Sequence, residues 1–179
     1  MRLSLPEFLV IGLLLLPACH ATLPLIHEKN TFTGETIIRT PGNELPRKGL
    51  VGKLYLDVRY IQPEVRDSRY EYWVTVRYPR HCIKIPPGKS LFLVVDGKEK
   101  KYSSNEGGVP NQSYTQPPEP LACLEYAVYQ AIPRADIEEI VHANSVDVKL
   151  VSRTGPMTAS LSKQNVAAIE AVLAASIAK

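Results

Sequence analysis

The chain has 179 residues, with 21 Lys and Arg against 18 Asp and Glu and a formal charge of +3. So mild a positive balance, with no basic patch interleaved with aromatics, excludes a nucleic-acid footprint. Once its first residues are set aside, about 160 remain, the size of one ordinary domain with room for a real core.

Residues 1–18 read as a leader. Met1 and Arg2 give a small positive start. The apolar run from Phe8 to Leu16 is about nine residues, inside the roughly 7–15 of a signal-peptide core and well short of the about 20 that a membrane span needs. Leu16-Pro17-Ala18-Cys19 closes the run. This segment resembles the lipobox of bacterial lipoproteins, with an aliphatic residue three before the cysteine and a small residue directly before it. The resemblance covers the first 19 residues. It implies that Cys19 becomes the first residue of the mature protein and carries acyl chains, palmitate among them, on its sulfur and nitrogen. Two or more such chains hold a protein stably on a membrane. His20 follows rather than Asp, which in the enteric-type sorting pattern implies the outer membrane, facing the periplasm. The alternative is cleavage after Ala21, giving a soluble periplasmic or secreted protein.

With Cys19 acylated or removed, Cys82 and Cys123 remain as a pair, and an oxidising compartment permits a disulfide between them. It would close a loop of about 40 residues and contribute at most roughly 4 kcal/mol. The alternative is two buried thiols too far apart to join. Nothing resembles Cys-x-x-Cys, so no redox role is expected.

Residues 19–52 are rich in Thr, Pro, Gly and charge and read as a lipidated tether with at most one short strand near Thr36-Ile37-Ile38. Residues 53–179 read as a single globular domain. Leu54, Leu56, Val58 and Tyr60 alternate with polar neighbours, the period of a strand, and Tyr70 to Tyr78 mirrors them, so an antiparallel pair is expected. Leu91 to Val95 is apolar on both faces, which suits a central strand. Asp96-Gly97 is a turn dipeptide that returns Lys98 to Tyr102 as a lysine-bearing edge strand. Residues 103–120 read as a long loop, functional or disordered, with disorder favoured because it carries no catalytic residue set. Leu124, Tyr126 and Val128 alternate as a strand; Pro133 opens a helix through His142; Val146, Val148 and Leu150 form a strand, and Met157 to Leu161 pairs back on it. Ser162 caps a last helix to Ile177, with Val166, Ile169, Leu173 and Ile177 on its docking stripe. The class is α+β, a mostly antiparallel sheet of about six strands with two helices packed on it; a β-sandwich with a C-terminal helix is the alternative.

The familiar catalytic motifs are absent from the sequence. Glu139 and His142 have the Glu-x-x-His spacing of carboxylate-bridged metal sites, but those need two copies and further carboxylates; a solvated helix face is expected here. His81 and Cys82, adjacent on extended backbone, point to opposite faces and cannot share a proton. Lys98 to Lys101 reads as a solvated hairpin arm. No cofactor or metal is expected. Nine Tyr against three Phe make an aromatic excess with polar rims, and Trp73 shares a strand face with Glu71 and Arg77. That face suits stacking on a sugar ring of peptidoglycan or lipopolysaccharide, or simply good cross-strand pairing. The functional expectation is a membrane-anchored, non-catalytic envelope protein that contacts another envelope component. The alternatives are a glycan or small-ligand binding module and, further off, an envelope hydrolase.

Overall fold

The computed structural model describes residues 24–46, 53–62, 71–80, 82–112 and 123–177. Residues 1–23, Cys19 among them, His81 and residues 113–122 fall outside them, as do the side chains of Glu71 and Cys123.

Among the described residues, eleven strands and two helices run in chain order as β1 (Ile26–Lys29), β2 (Thr36–Arg39), β3 (Glu44–Leu45), β4 (Leu54–Gln62), β5 (Glu71–Arg80), β6 (Gly88–Val95), β7 (Lys98–Ser104), β8 (Val109–Gln112), β9 (Cys123–Ile132), α1 (Arg134–His142), β10 (Val146–Leu150), β11 (Met157–Ser160) and α2 (Lys163–Ile177). The larger sheet has the order β1-β2-β4-β5-β9-β8, with the short β3 also beside β4; the smaller has the order β11-β10-β6-β7. Every pairing is antiparallel. The protein is thus an α+β fold with antiparallel sheets. The stretch read as a tether supplies β1, β2 and β3, and the segment read as a disordered loop supplies β8.

Local chemistry accounts for these elements. In the β6–β7 hairpin Asp96 and Gly97 have φ of 46° and 83°, the doubly left-handed turn whose twist matches that of the flanking strands. The Asp96 carboxylate also accepts hydrogen bonds from the backbone N–H groups of Ser145 and Asn144, which hold it below its usual range and pin the α1–β10 connection to the hairpin. At the start of α2 the Asn165 N–H donates to Ser162 Oγ while Asn165 Oδ1 accepts from the Ser162 N–H, the reciprocal logic of a capping box. The buried face of α2 is Asn165, Ile169, Val172 and Leu173; Ile177, expected on the docking stripe, is 58% exposed.

The core lies between the sheets and the helices. Leu54, Leu56 and Val58 on β4 and Val74 and Val76 on β5 form one cluster with Leu91, Leu93, Val148 and Leu150 of the smaller sheet and with Ile137, Ile140, Ile169 and Val172 of the helices. Phe92, on the outer side of β6, is covered by the ammonium groups of Lys149 and Lys101, 5.5 and 6.0 Å from its ring centre. The lysine run is not all solvated: Lys100 reaches α1, pairing with Asp136 at 2.7 Å and with Glu139.

Tyr129 crosses the core, its hydroxyl 2.9 Å from that of Ser90, with both residues fully buried. Burial pushes this phenol up to about 12, although its bond to Ser90 opposes the shift. Tyrosines of the unfolded chain lose their protons from about pH 10, so across pH 10–12 the unfolded state binds fewer protons and stability falls as pH rises. Tyr129→Phe is expected to cost about 1 kcal/mol at neutral pH. It should also flatten the alkaline decline, leaving the share of Tyr102, whose phenol is raised by burial first and then by its bond to Asp136. Urea unfolding of both proteins at pH 7, 9 and 11 measures both effects; equal pH slopes would refute the second.

Candidate binding cleft on the larger sheet

Side chains alternate across a strand, so β5 sends Tyr72, Val74, Val76 and Tyr78 into the core and Trp73, Thr75 and Arg77 to the outer face. Register fixes their neighbours: Arg59 stands opposite Trp73, Asp57 opposite Thr75, and Tyr55 opposite Arg77. On the other side Val128 faces Thr75 and Tyr126 faces Arg77. On β9, Leu124, Tyr126 and Val128 turn outward, while Glu125, Ala127 and Tyr129 are buried.

Between the Tyr72 and Val74 pairings the register shifts, and Gln130 and Ala131 together oppose Trp73. Such a bulge bends the strand and re-aims the side chains around it. Ala131 has φ of 53°, a left-handed conformation that a residue with a Cβ adopts at a cost, and strain of this kind concentrates at functional sites. Beside the bulge lies a cleft of about 390 Å³, floored by Trp73, Tyr126, Val128 and Gln130 and rimmed by Ser103–Gly107. The rim is held in shape: the Gly107 N–H donates to Ser104 Oγ. A Cβ at Gly107 would sit 2.6 Å from the Ile85 carbonyl oxygen, so only glycine permits this close approach. Asn105, Glu106 and Gln130 give the cleft amide and carboxylate groups around two aromatic side chains.

Next to the cleft runs a charged row. Arg39 binds Glu28 through Nη2 at 2.7 Å, and Arg77 binds Asp57 through Nη2 at 2.7 Å while its guanidinium lies 5.1 Å from the centre of the Tyr55 ring. Arg59 stands between these pairs. Burial first, then the neighbouring Arg39, hold its guanidinium below its ordinary value. Its Nε is buried with no hydrogen-bond partner, as is Thr75 Oγ1.

No family model, curated protein or solved structure matches the chain.

Of the residues expected at a binding face, Trp73 and Arg77 do share one, and Glu71 belongs to it by strand parity. Arg59, Tyr126 and the Ser103–Gly107 rim were missed. Strand parity reveals Arg59 once β4 is paired with β5, but the rim comes from a segment without periodic pattern. Cys82 is disulfide-bonded, and strand register sets Cys123 opposite Arg80. Glu139 meets Lys100 and His142 is exposed on the last turn of α1, so the two do not converge on a common centre. Among the described residues no cluster of three or more His, Cys, Asp or Glu is arranged to hold a metal ion, and no helix is long and apolar enough to cross a membrane.

Proposed function

We propose that this chain is a lipid-anchored, non-catalytic protein of the bacterial envelope whose folded part holds a glycan in the cleft beside Trp73. The cleft carries the reading: an indole and a phenol ring supply apolar faces for a sugar ring, and the amide, hydroxyl and carboxylate groups of Asn105, Ser103, Glu106 and Gln130 suit its hydroxyls. The rim is fixed before any ligand arrives, which lowers the entropic cost of binding.

The address rests on the lipobox-like Leu16-Pro17-Ala18-Cys19 and the residue after it, which favour acylation at Cys19 and the outer membrane. An oxidising compartment is supported by the disulfide at Cys82, with Cys123 its proposed mate once Cys19 is consumed. Phe32 favours a second reading, contact with an envelope protein, because it is 98% exposed at the tip of the β1–β2 hairpin, where Asn30 Oδ1 grips the backbone N–H groups of Phe32 and Thr33.

One experiment separates the readings. Trp73→Ala is expected to lower retention on purified peptidoglycan sacculi or lipopolysaccharide by roughly thirtyfold, about 2 kcal/mol for a central tryptophan, with an unchanged circular dichroism spectrum. Retention equal to that of the unaltered protein would remove the glycan and leave the protein partner.

A further inference from the structure

We infer that the cleft selects an amino sugar, so that the glycan carries a free ammonium group received by Glu106 and the aromatic floor; this rests on the glycan reading and adds the ligand's charge. Trp73 divides the outer face of the larger sheet. On its β4 side runs the charged row, with Arg39 and Arg77 engaged by Glu28 and Asp57 and with Arg59 directly across from the indole. Glu71 belongs to this face by strand parity, so the three arginines meet three carboxylates. On the β9 side lies the cleft, lined by Trp73, by β9 and by Ser103–Gly107 and Val109, and no arginine or lysine is among those residues. Glu106 is the one charged side chain of that lining. It is exposed, and no described residue makes an ion pair or a hydrogen bond with it.

The floor adds to the same preference. Val128 opposes Thr75 and Tyr126 opposes Arg77, so Tyr126 stands four positions along the sheet from Trp73, roughly 13 Å at the rise of an antiparallel strand. Two rings that far apart seat consecutive sugars of a chain. The face of an indole or phenol ring attracts a cation, and a carboxylate beside it supplies the counter-charge. A carboxylate or phosphate on the sugar would meet Glu106 as a like charge. An uncharged sugar would give Glu106 hydrogen bonds from hydroxyls and leave its charge unanswered; an ammonium group supplies both. The rim brings Glu106 to the cleft with little loss of freedom on binding, since Ser104 Oγ and the close-packed Gly107 fix the turn on which it sits.

Trp73 is the sole tryptophan of the chain, so its fluorescence reports on this site in the full protein. The probes are a glucosamine hexamer with free amines, the same hexamer with every amine acetylated, and lysine amide. At pH 6, with the amines protonated, the unaltered protein is expected to bind the free-amine hexamer at least tenfold tighter than the acetylated one, with the preference shrinking as salt rises. At pH 9 the amines are neutral and the preference should disappear. Glu106→Gln keeps the shape of the side chain and removes its charge. It should bring the two affinities at pH 6 within about threefold of each other and leave the melting temperature unchanged, as befits an exposed position. Equal binding of both hexamers by the unaltered protein, or tighter binding of the acetylated one, would overturn the amino-sugar claim and leave the glycan reading intact. A tenfold preference that survives Glu106→Gln would do the same. Competition by lysine amide at the hexamer's own affinity would show an ammonium site without sugar recognition and would also overturn the claim. Failure to bind either hexamer would overturn it, and the glycan reading with it if sacculi and lipopolysaccharide are not retained either.

Discussion

Asp57→Ala is expected to destabilise the protein by about 3 kcal/mol, a fall of about 6–12 °C in Tm for a chain of this length. Asp57 is 2% exposed, yet its carboxylate is fully used. Oδ1 accepts from Thr40 Oγ1 at 3.0 Å, from the Gly42 N–H at 3.1 Å and from the Asn43 N–H at 2.8 Å, and Oδ2 accepts from Arg77 Nε at 2.9 Å. Truncation strands two backbone donors that have nowhere else to go and removes the counter-charge of Arg77, which recovers part of its hydration because a third of its side chain is exposed. The damage should spread. Asn43 and Asn165 exchange hydrogen bonds, so the loop that Asp57 shapes also holds the first turn of α2. Amide exchange at the start of α2 should therefore accelerate in the variant. Arg77→Ala should cost less, since Asp57 keeps the Thr40, Gly42 and Asn43 donors. A Tm within 2 °C of the unaltered protein for Asp57→Ala, or a larger loss for Arg77→Ala, would contradict this account.

The same residues show what sequence can and cannot reveal. Strand parity places Asp57 and Arg77 on the outer faces of β4 and β5, and the Asp96-Gly97 turn fixes the β6–β7 hairpin, because both signals are local and both depend on the period of a strand. What parity leaves open is which face is buried when both carry apolar groups. On β9 both parities carry apolar residues, Leu124, Tyr126 and Val128 on one and Ala127 and Tyr129 on the other, and the buried set also contains Glu125. Its carboxylate is satisfied by N–H groups some forty positions earlier in the chain, a partnership no local window contains. The stretch before β4 was misread for a related reason. β1, β2 and β3 are two to four residues long, too short to show alternation; β2 and β3 are ordered by pairing with β4, and β1 by pairing with β2. Arg39, which belongs to the charged row, thus arrives from a segment whose composition suggested a tether. The cleft inherits both difficulties: its aromatic floor was partly legible through Trp73, while the bulge at Gln130 and Ala131 and the Ser103–Gly107 rim exist only once distant strands have paired.

Gly108→Ala and Glu125→Ala are each expected to destabilise by about 3 kcal/mol, and the double variant by clearly less than their sum. Lys84 has φ of 56°, and the tight turn it makes delivers its own N–H to Glu125 Oε2 at 2.8 Å and the Ile85 N–H to Oε1 at 2.6 Å. Glu125 therefore holds the segment that sends Ile83 and Ile85 into the core. Gly108 closes the other side, donating its N–H to the Ile85 carbonyl at 2.8 Å. A Cβ there would overlap the Glu125 carboxylate, which two hydrogen bonds prevent from swinging away. Each single change injures the site differently: alanine at 125 leaves two donors without an acceptor, and alanine at 108 drives the carboxylate off them. Once the carboxylate is gone, the new methyl group has room and the second injury largely vanishes. Chemical denaturation of the two single variants and the double variant measures the coupling, expected at about 2 kcal/mol in the favourable direction. Strict additivity would mean that the glycine is there for its backbone alone.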